Sequence, residues 1–292
     1  MTELRDPFPP LPGSDEPGEV VRLRREHLSE LVALLAGSPV ENVMLLDRLH
    51  EDGLPGRPFQ EFVGWRAGGV LRGVAYFSGD IAVYAPDPQA VAPLARYAVA
   101  RRPLVPRIIS REETVGLFWE TFREVGLPLQ FDRRQLVCVV RPGMVQAEDD
   151  VRMRPATLAQ LDEVTANAAA MSLEEIQLDP MAEHPLGYRR LVEQRIRLQR
   201  YWVLTEGGRI RFQLHLNSLT DQAGQITGVY TPPEDRQQGW ARLGLGAFCR
   251  VLLTHTPCLA LFVNDFNTPA LRLYAGLGFE PVLRYRAIFL EG

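Results

Sequence analysis

Lysine is missing from this sequence, since all 32 of its basic residues are arginine. Such a bias is typical of a GC-rich genome and indicates no particular function. The 36 acidic residues outnumber the basic ones and leave a formal net charge of −4. A nucleic-acid surface needs clustered basic residues, usually with aromatic side chains among them, and no such cluster is present. We therefore expect no nucleic-acid partner.

Long apolar runs are absent as well. No stretch reaches the roughly 18 residues that a membrane-spanning helix needs. Residues 1–19 are rich in proline and acidic side chains, unlike a signal peptide. We therefore expect no membrane partner and a cytoplasmic location.

Cysteine is scarce. The sequence has 3 cysteines, Cys138, Cys249 and Cys258, and their spacing matches neither a disulfide framework nor a zinc site. We expect these side chains to be buried as small hydrophobic groups, and we predict no bound metal.

The length and composition that are present indicate a globular protein of more than one domain. At 292 residues the chain exceeds the size that one hydrophobic core usually supports, so two domains of about 100–150 residues are expected. Proline, glycine and acidic residues without periodicity predict a disordered tail over residues 1–18. A second break falls at Arg141–Asp150. We place the domains at residues 19–141 and 151–292, with a linker at residues 142–150.

Hydrophobic periodicity predicts the elements of the second domain. Val151–Pro155 is a short strand, Leu158–Ala168 has helical spacing, and a second helix begins near Tyr188. The remaining predictions are strands at Tyr201–Thr205 and Arg209–Leu216 joined by a Gly207-Gly208 hairpin, a strand at Ile226–Tyr230, a helix at Gly239–Leu253, a strand at Leu259–Val263, a helix at Thr268–Ala275 and a strand at Val282–Leu290. The order β-α-α-β-β-β-α-β-α-β predicts an α/β fold, with helices and a mixed sheet.

The first half of the chain resembles a degenerate internal repeat of the second half. It repeats the opening strand and helix, and Phe62–Phe77, with its own Gly-Gly pair, repeats the hairpin. Val83-Tyr84-Ala85-Pro86 corresponds to Val229-Tyr230-Thr231-Pro232, and Phe122 stands where the second copy has Tyr274. Two similar folds in tandem are therefore expected.

The strongest local signal is the segment Val229–Ala241, where a predicted strand meets a predicted helix. A helix N-terminus leaves about four backbone N–H groups without partners and carries a partial positive charge, so a diphosphate can bind there. Gly239 lets the backbone approach a ligand, Ala241 keeps the first turn uncluttered, and Arg236 adds positive charge. An ordinary strand-turn-helix with a glycine has the same pattern, so this motif needs a second signal.

That second signal is the block Asn267–Phe279, which follows the next predicted strand. Its pattern is Asn-x-x-Ala-x-x-x-Tyr-x-x-x-Gly-Phe, and the earlier loop is Arg-x-x-Gly-x-Ala. Together they resemble the cofactor half of the GNAT N-acetyltransferase superfamily, specifically over Ile226–Leu290, more weakly back to Val151, and only in topology over residues 20–140. The resemblance implies two tandem GNAT-like domains, each a central, mostly antiparallel twisted sheet flanked by helices.

The resemblance also implies an acyltransferase that moves an acetyl group from acetyl-CoA, its co-substrate, to a primary amine. The backbone of Val229 and Thr231 would pair with the pantetheine arm, and the loop amides would take the diphosphate. Asn267 would bond to the cofactor, a role compatible with capping the helix that starts at Thr268. The residues expected to bind acetyl-CoA are Val229, Tyr230, Thr231, Arg236, Gln237, Gln238, Gly239, Trp240, Ala241 and Asn267.

Tyr274 is the expected general acid, by its position in the same block. Direct attack of an amine on a thioester expels a thiolate, and a phenol with a pKa of about 10 can protonate it. The alternative role for Tyr274 is to pack its helix onto the sheet. Phe122 in the first copy cannot donate a proton, and no Arg-x-x-Gly follows Pro86. We therefore predict a degenerate first domain without a cofactor loop.

Two carboxylates are candidates for the general base that deprotonates the acceptor amine. Glu174 and Glu175 lie in the segment Met171–Pro185, where the family places its acceptor-binding loop. Acidic side chains at the entrance of the site would attract a cationic amine. The alternative for either glutamate is that it is an ordinary solvent-exposed loop residue without a catalytic role. His215, in an alternating strand, is expected to be structural.

Two other functions stay open at this point. A non-catalytic sensor or scaffold module would bind acyl-CoA without transferring it, and an intact Tyr274 counts against that reading. Some tandem relatives of the fold transfer from aminoacyl-tRNA, and the absent basic stripe counts against that donor. The expected partners are acetyl-CoA and an unidentified amine acceptor, and a homodimer is a further expectation.

Overall fold

A computed structural model describes residues 18–54, 60–101, 107–147 and 150–291. Apart from Gly18, the tail predicted at the N-terminus lies outside these residues, as do positions 148 and 149 of the predicted linker. The chain forms two compact units. We call Met1–Gln135 with Leu283–Gly292 the N-terminal unit, and Leu136–Val282 the C-terminal unit.

The N-terminal unit begins with a strand and two helices, followed by a hairpin. Its elements are β1 (Glu19–Arg22), α1 (Leu28–Ala36), α2 (Pro39–Asp52), β2 (Glu61–Ala67), β3 (Val70–Phe77), β4 (Asp80–Tyr84), α3 (Val91–Arg101), β5 (Arg107–Arg111), α4 (Glu112–Phe122) and β6 (Leu129–Val140), of which β6 belongs to this unit up to Gln135.

The C-terminal unit has the same order of elements, with one extra short helix. Its elements are β7 (Met153–Pro155), α5 (Leu161–Ile176), α6 (Pro180–Glu183), α7 (Pro185–Arg197), β8 (Tyr201–Glu206), β9 (Arg209–Leu219), β10 (Gly224–Tyr230), α8 (Trp240–Leu252), β11 (Leu259–Asn264), α9 (Thr268–Gly276) and β12 (Glu280–Leu290), of which β12 belongs to this unit up to Val282. The predicted internal repeat and the predicted order of elements are therefore confirmed.

Each unit contains a mixed sheet. In the N-terminal unit β1, β2, β3 and β4 pair antiparallel in that order, and β4 pairs parallel with β5. In the C-terminal unit β7, β8, β9 and β10 pair antiparallel, and β10 pairs parallel with β11. Each unit thus has a parallel pair of strands at the same place in its order, β4–β5 and β10–β11, and the candidate site depends on the second of them.

The hairpins β2–β3 and β8–β9 turn on a glycine pair, as predicted. Gly68 and Gly69 have φ angles of 59° and 77°, and Gly207 and Gly208 have 60° and 77°. Two successive positive φ angles match the type I′ turn, whose twist suits a hairpin and which strongly favours glycine. The sequence therefore dictates these turns locally.

The last strand of the chain is divided between the units. Its C-terminal part pairs antiparallel with β5, from Tyr285 opposite Arg111 to Phe289 opposite Arg107, and Ile288 is fully buried in the N-terminal unit's core. The second half of β6 lies beside β11 in the C-terminal unit, where Cys138 is buried. The predicted domains, residues 19–141 and 151–292, divide the chain at other residues and stay a prediction.

Alternation along the strands places a hydrophobic core on each face of the C-terminal sheet. Tyr201 and Val203 of β8 pack with α5 and α7, whereas Leu204 packs with Phe248 of α8 on the opposite face. Side chains alternate between the faces of a strand, which accounts for the two cores. Over the described ranges, no helix combines the length and apolarity needed to cross a membrane.

Candidate active site

The parallel strands β10 and β11 separate after a short region of pairing. They pair at Gly224–Leu259, Gln225–Ala260 and Ile226–Leu261. Within the described residues their pairing ends there, although β10 continues to Tyr230 and β11 to Asn264. Backbone N–H and C=O groups beyond the split lack the partners that a regular sheet would supply, so an extended ligand with amide groups can pair with them.

A β-bulge at Gly228 shapes the free part of β10. The register between β9 and β10 shifts between Thr227 and Tyr230, and Gly228 has a φ of 63°. A Cβ at this position would lie 2.5 Å from Nδ1 of His215, so both the φ angle and the close approach require glycine. Gly228 is not among the predicted site residues, although a glycine inside a strand pattern is a signal for a bulge.

The loop after β10 presents backbone N–H groups at the start of α8. Gln237 and Gly239 have φ angles of 61° and 86°, and Gly239 is the N-cap residue without a side-chain cap. The first helical bond is from the N–H of Leu243 to the carbonyl of Gly239, 3.0 Å. In the described part of the chain, the N–H groups of Gln238 and Trp240 have no hydrogen-bond acceptor. Such N–H groups, together with the helix dipole, form an anion site.

A buried aspartate, Asp235, holds this loop against strand β9. Asp235 is 2% exposed, and its carboxylate accepts from Nη1 of Arg211 on β9 at 2.5 Å. Nη2 of Arg209 lies 3.6 Å from the other carboxylate oxygen, and the Asp235 N–H donates to the carbonyl of Pro232 at 2.9 Å. The loop conformation is therefore held by an ion pair to the neighbouring strand, which the sequence analysis missed because the partners are distant in the chain.

Tyr274, the predicted general acid, lies on α9 with its ring in the core. It is 7% exposed, packs against Phe279 with ring centroids 5.8 Å apart, and borders the same cavity as the loop. Burial raises the pKa of Tyr274 above its ordinary value, with smaller contributions from the charges of Glu175 and Cys138. The phenol therefore keeps its proton at neutral pH and above.

Glu174, a predicted general base, forms a hydrogen-bonded network with the end of β10 and the loop that follows it. Its carboxylate accepts from Nη2 of Arg236 at 2.9 and 2.7 Å and from the hydroxyl of Tyr230 at 3.1 Å. Burial and then the hydrogen bond to Glu174 raise the pKa of Tyr230. Nε of Arg236 donates to the carbonyl of Thr231 at 3.0 Å, so this arginine joins the loop, the strand end and α5.

These residues surround one cavity of about 700 Å³ in the C-terminal unit. Of the predicted site, it is lined by Glu174, Glu175, Val229, Tyr230, Thr231, Arg236, Gln237, Gly239, Trp240, Ala241, Asn267 and Tyr274. Gln238 is not in this lining and borders an adjoining cavity, where its Nε2 donates to the carbonyl of Glu234 at 2.9 Å. Met171, the first residue of the predicted acceptor-binding segment, also lines the cavity, and further lining residues outside the predicted set include Asp235, Arg242, Asn264, Phe266 and Leu273.

Three predicted structural roles can be compared with the coordinates. Oδ1 of Asn267 accepts from the N–H of Ala270 at 3.2 Å, which is the expected helix cap. His215 is buried, and its pKa is lowered to about 3 by burial and, second, by the charge of Arg195. All 3 cysteines are buried and free of disulfides. No group of three or more His, Cys, Asp or Glu side chains suited to a metal occurs among the described residues.

Comparison with known proteins identifies the fold. No family model and no curated protein matches the chain. A GNAT-family acetyltransferase from Colwellia psychrerythraea matches over 94% of this chain and 100% of its own, with a TM-score of 0.58 and 14% identity. A GCN5-related N-acetyltransferase from Sphaerobacter thermophilus matches over 94% and 96%, with a TM-score of 0.61 and 15% identity.

A tandem GNAT protein from the clavulanic acid biosynthesis pathway matches over 93% of this chain and 97% of its own, with a TM-score of 0.56 and 15% identity. Likeness at this level of identity establishes the fold. The chain has the fold of GNAT acetyltransferases, in two tandem copies, each with a mixed sheet flanked by helices. The predicted resemblance is confirmed at the level of the fold.

Proposed function

We propose that this protein is an N-acetyltransferase that moves an acetyl group from acetyl-CoA to a primary amine by direct attack. One observation carries the proposal: the split between β10 and β11, the loop of unpaired N–H groups and Tyr274 all border one cavity. Its volume of about 700 Å³ lies within the range of about 300–1,000 Å³ that is usual for small-molecule sites.

The residues around the cavity fit acetyl-CoA along its length. The backbone of Val229 and Thr231 lies beyond the last β10–β11 pair and can bond to the amides of the pantetheine arm. The N–H groups at Gln238–Trp240, with the dipole of α8, suit the diphosphate, and the guanidinium of Arg236 adds a charge. When bound, acetyl-CoA supplies a thioester carbonyl as the electrophile.

Tyr274 is proposed as the acid that protonates the departing thiolate. Its pKa is raised by burial, so the hydroxyl is protonated whenever an amine attacks near neutral pH. Tyr274 is 7% exposed and lines the cavity. A phenol at this position can donate its proton to a thiolate sulfur bound in the cavity.

Glu174 and Glu175 are proposed to handle the acceptor amine. Both border the cavity from the last turn of α5. Glu175 and Tyr274 line the same cavity, and the charge of Glu175 contributes to the raised pKa of Tyr274. An incoming ammonium must be attracted and then deprotonated, and carboxylates can do both. The homodimer, the cytoplasmic location and the lack of nucleic-acid or membrane partners stay predictions.

A direct test is to mix the protein with acetyl-CoA and a broad panel of primary amines while following release of free thiol. We expect at least one amine to release CoA well above the rate in buffer, with N-acetylated product confirmed by mass spectrometry. Tight binding of acetyl-CoA in calorimetry without turnover of any amine would instead support the sensor or scaffold function.

A further inference from the structure

The ion pair between Arg236 and Glu174 connects the cofactor loop to the acceptor side of the cavity. The guanidinium bonds both carboxylate oxygens, at 2.9 and 2.7 Å, and stacks over the ring of Tyr230 at 5.6 Å. The partner side chains are 44% and 43% exposed, so the pair is accessible to a ligand in the cavity. Because exposed ion pairs contribute little to stability, rearranging this pair costs little.

The C-terminal turn of α5 carries negatively charged side chains and no positively charged one. These side chains are Glu174 and Glu175. Anionic side chains are unfavourable at a helix C-terminus, which itself carries a partial negative charge. Arg236, from a different element, supplies the compensating cation.

The same guanidinium is also within the loop that presents N–H groups for a diphosphate. Its Nε is held by the carbonyl of Thr231 at 3.0 Å, while its terminal nitrogen makes the bonds to Glu174. Rotation about the Cγ–Cδ and Cδ–Nε bonds would release the Thr231 carbonyl together with the Glu174 carboxylate and turn the planar guanidinium to another anion without moving the loop backbone. A diphosphate carries more charge than a carboxylate and offers bidentate oxygens, so it competes effectively for an arginine.

We propose that Arg236 is a switch between two anions. In the free protein it neutralises Glu174; when acetyl-CoA binds, Arg236 turns to the diphosphate and leaves the Glu174 carboxylate facing the cavity without its cation. Glu174 then binds the ammonium group of the acceptor. The acceptor site is thus completed only after acetyl-CoA has bound, which makes Glu174 a specificity residue for cationic amines. This inference rests on the proposed function.

Binding measurements with CoA and with pantetheine, which lacks the diphosphate, test the switch without any acceptor. Calorimetry is carried out on wild type, Glu174→Gln, Arg236→Gln and the double variant. Glutamine keeps an oxygen for the hydroxyl of Tyr230 while removing the charge that holds Arg236. Glu175→Gln removes the same charge from the neighbouring position and controls for general electrostatic repulsion.

If Arg236 must leave Glu174 to bind the diphosphate, E174Q should tighten CoA binding about two- to fivefold more than E175Q does, in line with the modest strength of an exposed pair. The gain should vanish when Arg236 is also glutamine, and it should be absent for pantetheine. A gain that persists in the double variant, an equal gain in E175Q, or weaker binding by E174Q would overturn the switch while leaving the proposed function intact. Failure of wild type to bind CoA would remove the proposed function itself.

Discussion

The two units share a topology and differ at the point where a cofactor would enter. Both contain a parallel pair of strands, and in the N-terminal unit Asp80, Ile81 and Ala82 lie opposite Arg107, Ile108 and Ile109. In the C-terminal unit β10 is bulged at Gly228, whereas β3 and β4 keep a regular register from Phe77–Ile81 to Val74–Tyr84. In both units the parallel pairing ends before the two strands do, and of β4 and β10 it is β10 that carries a bulge beyond the last pair.

The strand ends of the N-terminal unit are occupied by its own side chains. The hydroxyl of Ser110 donates to the carbonyl of Val83 at 2.6 Å. Nε of Arg111 bonds both oxygens of Glu41 at 2.8 Å, and the Glu41 side chain is only 2% exposed. In the C-terminal unit a different ion pair, between Glu174 and Arg236, borders the cavity with side chains that are 43% and 44% exposed. Polar groups that are satisfied internally have little left to offer a ligand.

The loop after β4 is also less suited to bind a ligand than the loop after β10. Residues 85–90 lead into α3 with Ala90 fully buried and with the carboxylate of Asp87 accepting from the N–H of Gln89 at 3.0 Å. Residues 231–239 form a longer loop that ends in a glycine with a φ of 86°. A carboxylate already occupies an N–H group at the first loop and would repel a diphosphate. We infer that the N-terminal unit is degenerate as a catalyst.

The largest expected effect comes from giving the C-terminal unit the aromatic residue of its counterpart. Tyr274→Phe should lower kcat by about 100-fold or more, because general acid catalysis contributes about 10²–10⁴-fold. The KM for acetyl-CoA should change little, since the ring is retained. Steady-state thiol release measures both constants. A rate close to that of wild type would show that Tyr274 is not the acid.

The reciprocal change serves as the control for that prediction. Phe122 is fully buried in the N-terminal core, so Phe122→Tyr places a hydroxyl where it has no partner. We expect a loss of about 1–3 kcal/mol in the free energy of unfolding and no gain in activity. Restored or increased turnover would contradict a degenerate N-terminal unit.

The two arginine–glutamate pairs should differ in their contribution to stability. Arg111→Ala leaves the almost completely buried carboxylate of Glu41 without its cation, and we expect the free energy of unfolding to fall by about 2–3 kcal/mol. Arg236→Ala breaks a pair that is 44% and 43% exposed and should cost about 0–1 kcal/mol. Urea titrations of both variants test the difference. Equal losses would mean that the two pairs have similar environments.

The cofactor loop should be sensitive to its last glycine. Gly239→Ala forces an L side chain into a φ of 86°, at a cost of about 1–2 kcal/mol, which the free loop can avoid by leaving the binding conformation. We expect the KM for acetyl-CoA to rise about tenfold. Gly126, with a φ of 78° in the N-terminal unit, gives a matched control: Gly126→Ala should lower stability without changing that KM.

The smallest effect is a pH dependence that arises in the C-terminal unit. Burial lowers the pKa of His215 to about 3, against about 6.5 in the unfolded chain, so unfolding takes up a proton below pH 6.5. The stability that comes from the neutral imidazole is complete above pH 6.5 and declines as the pH falls toward 3. Between pH 6.5 and 5.5 the free energy of unfolding should fall by about 1 kcal/mol. His215→Gln should remove this slope, and an unchanged slope would assign it to other groups.

Much of the fold could be predicted because its signals are local. The glycine pairs at Gly68 and Gly207 mark the hairpins, and alternation or helical spacing marks the elements between them. The conformation of the loop before α8 could be predicted for the same reason, since a strand end, a glycine and a helix start lie within one short segment. Gly228 had a recognisable pattern, a glycine within a strand, but its contact with His215 is formed only when β9 and β10 pair.

The sequence by itself determined the repeated order of elements, the loop around Gly239 and the position of Tyr274 in its block, because each depends on a few neighbouring residues and on backbone conformation. Only the tertiary structure decided that the end of β12 completes the N-terminal unit, that Asp235 is anchored by Arg211 and that Arg236 pairs with Glu174. Such pairings join residues far apart in the chain. Their choice depends on which groups burial and strand register bring together, and no local pattern of residue types records that.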